Sequence, residues 1–213
     1  MTTSTRWTLL VLAVVAVLVT ALVVSLDHTP PGTGSTSGAQ TARTHREADT
    51  PEALAGPRQR ADLPPCPAAA DNPGPNELRG IVVECAADGA KVDVARALAG
   101  RPVVLNLWAY WCGPCADELP AMADYQRRVG ADVSVVTVHQ DENETAALLR
   151  LAELGVRLPT LQDGQRRIAA ALGVPNVMPA TVVLRADGSV AKILPQAFTS
   201  ADEIAAAVKN ALQ

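Results

Sequence analysis

The chain has 213 residues and a net charge of −4 at pH 7, with 18 lysine and arginine side chains against 22 acidic ones. This weakly acidic balance has no basic stripe, which argues against a protein that binds nucleic acid. The whole length does not fit one globular domain, because its first part has the composition of a membrane segment followed by a linker.

The N-terminus contains a candidate membrane segment. Residues 7–26 form an uninterrupted apolar run without charge, about the length that a helix needs to cross a bilayer core. A cleaved signal peptide is the alternative, but its apolar region is normally about 7–15 residues, and the best cleavage candidate here is a poor match. Because Arg6 precedes the run, the positive-inside tendency leaves residues 1–6 in the cytoplasm. We therefore expect an uncleaved signal anchor in the cell membrane, with a single pass and an extracytoplasmic remainder.

The segment after the apolar run is predicted to be a flexible linker, residues 27–62. It includes TPPGTGSTSGAQT, which has almost no large apolar side chain and cannot offset the entropy of ordering. Residues 63–213 are of ordinary size for one domain. Within this domain, residues 63–90 are predicted to be an N-terminal extension that carries a cysteine pair.

The first half of the domain core alternates between strand and helix patterns. The near-continuous apolar run at 103–107 predicts a strand covered on both faces. The segment from Gly113 to about Gly130 predicts a helix with a kink at Pro120. A β-branched run at 131–139 predicts a second strand.

The second half continues this alternation. Residues 143–155 predict a helix that Asn143 caps and Gly155 ends, and a short strand and a short helix follow. Two apolar runs around Asp187-Gly188 predict a hairpin. Residues 200–212 predict a terminal helix that begins with a capping box of Ser200 and Glu203. This order indicates an α/β domain with a central mixed sheet.

The stretch WAYWCGPCADELP, residues 108–120, carries the chemistry that we expect of this domain. Cys112 and Cys115 lie just past a strand and at the start of a helix, the edge of an open α/β sheet where active sites form. Unpaired backbone N–H groups and the helix dipole favour a thiolate there. Cys112 is predicted to be the more exposed nucleophile, and Cys115, one turn further, to be buried and to resolve the mixed disulfide.

Two other uses of these thiols compete with redox exchange. A metal site would need further ligands, but Cys66 and Cys85 form no second CxxC pair and only His139, at a strand end, could join. A purely structural bridge across four residues would close too small a loop to stabilise the fold much. We therefore expect a redox pair, no metal and no cofactor, and we expect no chemistry from His139.

The segment LNLWAYWCGPCADELP resembles the active-site segment of thioredoxin-fold proteins, and more narrowly that of membrane-anchored thiol:disulfide oxidoreductases of the TlpA/ResA type. The resemblance covers about residues 91–213 and implies a thioredoxin fold, a central mixed β-sheet flanked by helices. Glu118 matches the acidic residue of the family pattern C-x-x-C-x-x-E-x-P. Because it follows Cys115 by one helical turn, it is a candidate to carry protons to and from that thiol. A solvated surface acid or an ion pair with an arginine is the alternative.

The same resemblance implies a substrate-contact surface. Met178-Pro179 matches the family's cis-proline position beside the cysteines, where adjacent backbone pairs with a bound peptide. Trp111, Gly113 and Pro114 surround the thiols in sequence and are expected to contact substrate as well. Asn106 stands where cytoplasmic thioredoxins carry a buried acid. Trp108 also flanks the motif, and it either lies near the thiols or belongs to the core.

Cys66 and Cys85 form a second pair outside any redox motif. An even cysteine count outside the cytoplasm suggests oxidation, and a bridge closing this loop would stabilise by roughly 3 kcal/mol in the chain-entropy model. We expect a structural disulfide. The alternative is a second redox pair that exchanges with Cys112 and Cys115.

Gly-Pro between the cysteines is typical of reducing thioredoxins, which have potentials of about −270 mV, against about −120 mV for DsbA-type oxidants. We therefore expect a reductase of disulfides in secreted proteins. The resemblance implies apocytochrome c as the leading substrate candidate and a membrane thiol transporter of the DsbD/CcdA kind as the electron donor. The alternatives are an oxidase or isomerase of secreted proteins, or a copper- or haem-handling thiol chaperone.

Overall fold

A computed structural model describes residues 48–213. The predicted cytoplasmic N-terminus (1–6), the signal anchor (7–26) and the first part of the linker (27–47) lie outside the described residues. Within residues 48–213, none of the helices has the length and apolar character that a bilayer crossing requires.

A mixed β-sheet forms the centre of the described domain, as the sequence predicts. In chain order its seven strands in this part of the chain are β1 (Val82–Cys85), β2 (Lys91–Asp93), β3 (Val103–Trp108), β4 (Ser134–His139), β5 (Thr160–Gln162), β6 (Ala180–Leu184) and β7 (Val190–Leu194). Their spatial order is β2-β1-β5-β4-β3-β6-β7. The β3–β4 and β4–β5 pairs are parallel, and the remaining pairs are antiparallel.

Helices cover both faces of this sheet. They are α1 (Pro51–Ala61), α2 (Val94–Ala97), α3 (Gly113–Val129), α4 (Glu144–Leu154), α5 (Arg167–Ala171) and α6 (Ala201–Leu212), with a 3₁₀ turn at Asn76–Leu78. Val104 of β3 belongs to an apolar cluster with α3, α4 and α6, whereas Leu105 and Leu107 belong to a cluster on the other face with α2 and α5. This alternation explains why β3 is apolar throughout, since both of its faces are covered.

Local signals in the sequence placed the ends of several helices correctly. The Asn143 side chain accepts from the Ala146 N–H at 2.9 Å, and Gly155 ends α4 in the left-handed conformation with φ 63°. Ser200 caps α6 by accepting from the Glu203 N–H, and the Glu203 carboxylate accepts from the backbone N–H groups of Thr199 and Ser200, as the predicted capping box requires. Helix α3 continues through Pro120.

The predicted linker is wrong at its C-terminal end, because residues 51–61 form helix α1. Thr50 caps this helix, Pro51 occupies its first turn, and Leu54 and Ala61 are buried. They belong to a small apolar cluster with Leu148 of α4. The low apolar content of the segment hid the helix, since its few buried side chains contact a part of the chain about ninety residues away.

The N-terminal extension, residues 63–90, contributes β1, the second strand from one edge of the sheet, and leads into the edge strand β2. Strand β1 pairs antiparallel with both β2 and β5. The sequence did not predict either strand, because they are only four and three residues long and their stability depends on this pairing.

Candidate active site

The connection from β3 to α3 positions the CxxC pair. Strand β3 ends at Trp108, Cys112 is the N-cap residue of α3, and Pro114 lies in the first turn. The structure holds Cys112 and Cys115 as a disulfide with a Cα–Cα distance of 5.3 Å. The backbone N–H of Cys115 donates to Cys112 Sγ at 3.3 Å, so the outer sulfur accepts one of the N–H groups that the helix N-terminus leaves without a backbone partner.

The two sulfurs differ in access in the predicted order, but the difference is small. Cys112 is 6% exposed and Cys115 is 0% exposed, whereas the neighbouring Trp111 is 60% exposed. Cys112 is thus less exposed than the sequence predicts, because its sulfur is bonded to a buried partner and turned onto the helix N-terminus. An attacking or leaving sulfur can reach this bridge only from the side of Cys112.

Glu118 is buried one helical turn beyond Cys115, so the alternative of a solvated surface acid or an arginine pair is wrong. Its side chain is fully buried and makes two hydrogen bonds. The Asn106 amide donates to Glu118 Oε2 at 2.6 Å, and the Phe198 backbone N–H donates to Oε1 at 3.0 Å. Burial raises the pKa of Glu118 from 4.5 to about 7, and these two bonds oppose the shift. A carboxyl of this kind gains and loses its proton near neutral pH.

The predicted substrate-contact residues occupy the surface around the disulfide. The Met178–Pro179 peptide bond is cis, as expected, and directly precedes β6. Met178 packs against the apolar cluster that contains both cysteines. Trp111, Gly113 and Pro114 are exposed.

Trp111 has a fixed orientation, because its indole N–H donates to Asp141 Oδ2 at 3.0 Å. Sequence reasoning missed Asp141, and no local signal marks it, since it lies in the loop after β4. Trp108, whose position the sequence left open, lies in the core, with its ring centroid 4.9 Å from that of His139. His139 is fully buried and its Nδ1 bonds Gln162 Oε1 at 2.8 Å. Burial lowers its pKa to about 4, so it is neutral at physiological pH.

Cys66 and Cys85 form the second disulfide, with a Cα–Cα distance of 5.8 Å. Cys85 belongs to the apolar cluster on the opposite face of the sheet from Cys112 and Cys115. The sheet therefore lies between the two disulfides in the folded protein. This arrangement ties the extension to β1 and disfavours direct exchange between the pairs.

The alternative use of the cysteines, metal binding, would require a cluster of ligands. Among residues 48–213, no group of three or more His, Cys, Asp or Glu side chains is arranged to hold a metal ion.

Fold and site together define a class, the thioredoxin-fold proteins that carry a cysteine pair at the start of a helix. Within that class the chain belongs to the Redoxin family, whose model matches residues 66–208.

Known relatives agree with this assignment. The chain is similar to the thiol-disulfide oxidoreductase ResA of Bacillus subtilis, with 30% identity over 113 residues, which are 53% of this chain and 62% of that protein. It is also similar to thioredoxin 1 of Synechococcus elongatus, with 37% identity over 79 residues, 35% of this chain and 70% of that protein. The chain thus spans less than two thirds of the ResA protein but more than two thirds of the thioredoxin.

Solved structures also match this chain over nearly their whole length, and one of them serves as an example. It is a secreted disulfide oxidoreductase of Mycobacterium tuberculosis that is homologous to E. coli DsbE. It has 26% identity, a TM-score of 0.55, and a match that covers 63% of this chain and 97% of that one.

Proposed function

We propose that this protein is a thiol:disulfide oxidoreductase that reduces disulfides of secreted proteins. The observation that carries the proposal is the bridge at the start of α3, where a buried Cys115 is bonded to a Cys112 whose sulfur accepts a backbone N–H. Once the pair is reduced, the same amides and the helix dipole stabilise a thiolate on Cys112. A thiolate with a second thiol one turn away is the arrangement that disulfide exchange needs.

The exchange proceeds in two steps. Cys112 thiolate attacks one sulfur of the partner's disulfide, which forms a mixed disulfide and releases the other partner sulfur as a thiolate. Cys115 thiolate then attacks Cys112 Sγ, which restores the Cys112–Cys115 bridge and releases the second partner sulfur. Two electrons pass from the protein to the partner.

Glu118 is proposed to serve the second step. Cys115 is fully buried and must lose its proton before it attacks, and Glu118 is buried one turn away on the same helix. With a pKa of about 7, its carboxylate can take that proton near neutral pH and return it when the bridge is reduced again.

The exposed surface around Cys112 is proposed to hold the partner. Trp111, Gly113 and Pro114 present an apolar edge, and the cis Met178–Pro179 segment offers backbone groups beside it. This proposal rests on the resemblance to TlpA/ResA-type proteins, in which the corresponding backbone pairs with bound peptide.

The compartment and partners are also proposals. The apolar run at 7–26 supports a signal anchor with an extracytoplasmic domain. In that compartment apocytochrome c is the leading substrate, and a membrane thiol transporter of the DsbD/CcdA kind is the electron donor. The Gly-Pro dipeptide between the cysteines supports the reducing direction.

The test of the activity uses the full chain in detergent micelles. The reduced protein should reduce insulin disulfides, and the Cys112–Cys115 couple should have a potential well below about −150 mV. A higher potential would make the bridge a net oxidant and refute the reducing direction. A Cys115→Ser variant should retain substrates as mixed disulfides on Cys112, and a Cys112→Ser variant, the matched control, should retain none.

An oxidase or isomerase is the second candidate. It is favoured by similarity to the crystal structure of a secreted thiol-disulfide isomerase from Corynebacterium glutamicum, with 25% identity, a TM-score of 0.55, and coverage of 63% of this chain and 84% of that one. Refolding of a scrambled protein without reductase activity would support it. The copper- or haem-handling chaperone of the sequence analysis would have to rest on the two thiols of the CxxC pair, and metal stoichiometry in the purified protein tests it.

A further inference from the structure

Asn106 is a fully buried polar residue in the middle of the central strand. It lies on β3, between Thr137 of β4 and Thr181 of β6 in the strand register, and all three side chains are 0% exposed. Burying an amide in a sheet is unfavourable unless its hydrogen bonds are satisfied. The partner of its nitrogen end is Glu118, whose Oε2 lies 2.6 Å from Asn106 Nδ2.

The oxygen of the Asn106 amide, Oδ1, is available as a second hydrogen-bonding atom for Glu118. Asn106 Oδ1 is buried and has no hydrogen-bond partner. Rotating the amide by half a turn therefore exchanges Nδ2 and Oδ1 without breaking any other bond. The amide can then donate Nδ2–H to the Glu118 carboxylate or accept an O–H from the protonated acid, because one end is a donor and the other an acceptor.

Within residues 48–213, the Glu118 carboxyl is hydrogen-bonded by the Asn106 side chain and by one backbone N–H. From the loop before α6, the Phe198 N–H reaches the other carboxyl oxygen, Oε1. Glu118 forms no salt bridge with any of residues 48–213. Burial raises its pKa, and the two hydrogen bonds lower it by a smaller amount. The titratable side chains of the apolar cluster that contains the next residue, Leu119, are Cys112, Cys115 and Tyr125, and Tyr110 packs against that cluster. The other buried ionisable groups in the described range, which make no hydrogen bond with Glu118, are His139, Glu144 and Asp163.

We propose that Asn106 is a positioning residue, whose amide holds the Glu118 carboxyl one turn from Cys115 in both of its protonation states. The effect of this residue on disulfide exchange rests on the proposed function. The hydrogen-bond coupling between Asn106 and Glu118 does not depend on that function. A hydrogen bond to an ionised carboxylate is about twice as strong as one between neutral groups. Removing the amide therefore destabilises the ionised form more than the protonated form.

The test follows the titration of Glu118 in the oxidised full chain in detergent micelles, by carboxyl ¹³C NMR. An Asn106→Leu variant of similar volume should shift the midpoint upward by roughly one pH unit, about a tenfold change in the acid dissociation constant. The pH profile of insulin reduction should move in the same direction. Crystals of the wild-type protein below and above the midpoint should both keep the Asn106–Glu118 pair within hydrogen-bonding distance.

Two matched variants separate this role from a merely structural one. Thr181→Val changes a neighbour in the same buried row that makes no hydrogen bond to Glu118, and it should leave the midpoint in place. In a Glu118→Gln background, Asn106→Leu should no longer move the activity profile. If Asn106→Leu does not fold, Asn106→Ser, whose hydroxyl is too short to reach Glu118, replaces it.

The outcomes distinguish this inference from the proposed function. An unchanged midpoint in the Asn106 variant, an equal shift in Thr181→Val, or loss of the pair at low pH would overturn the positioning role. A wild-type protein with the expected titration but no exchange activity would refute the proposed function and leave the coupling of the two side chains intact.

Discussion

Replacing Glu118 by glutamine should remove a large part of the pH dependence of folding stability. The folded protein raises the pKa of Glu118 from 4.5 to about 7 by burial, so the folded state binds this proton more tightly than the unfolded state does. The stabilisation is present below about pH 4.5 and is lost as the pH rises through about 7. At 1.36 kcal/mol for each pH unit, the wild type should lose about 3 kcal/mol relative to Glu118→Gln between these limits.

The assay is urea unfolding of the oxidised proteins at several pH values from about 4.5 to 8, followed by circular dichroism. Taking the difference between wild type and variant removes the contribution of every other titrating group. Asp117→Asn is the matched control, because Asp117 is an exposed carboxyl on the same helical turn. A difference between wild type and Glu118→Gln that stays constant over this range would show that Glu118 titrates normally, and it would refute the reasoning.

Three further predictions concern other parts of the structure. His139→Asn should remove an acid-induced loss of about 3 kcal/mol between about pH 7 and 4, since burial lowers the folded pKa from 6.5 to about 4; an equal loss in both proteins by urea unfolding would contradict this. Replacing Cys66 and Cys85 by serine should reduce stability by roughly 3 kcal/mol and leave the insulin reduction rate unchanged, whereas lost turnover at full stability would favour a redox role. Asp141→Ala should speed hydrogen exchange of the Trp111 indole N–H, measured by NMR, and unchanged exchange would show that this hydrogen bond does not hold the ring.

Local signals in the sequence were sufficient for most of the elements around the site. Asn143 and Gly155 bounded a helix because a cap acts on backbone groups within three or four residues. The β-branched run of β4 and the turn at Asp187-Gly188 were recognisable for the same reason. Helix α1 and strand β1 had no such signal, because they are stabilised by contacts with α4 and β5, far along the chain.

The cysteine pair could likewise be predicted, since an apolar strand, a CxxC motif and a helix follow one another directly between residues 103 and 129. The role of Glu118 was only partly readable. Its place one turn after Cys115 follows from helical spacing, but its burial does not.

The sequence by itself determined the order of strands and helices from β3 to α6, the position of Cys112 at a helix start and the expectation of a redox pair, because these depend on residues close together in the chain. Only the tertiary structure decided the environment of Glu118, which needs Asn106 on a neighbouring strand and the Phe198 N–H from 80 residues further on. It also placed the two disulfides on opposite faces of the sheet. Burial and long-range hydrogen bonds arise when the sheet assembles, and they decide where a proton binds.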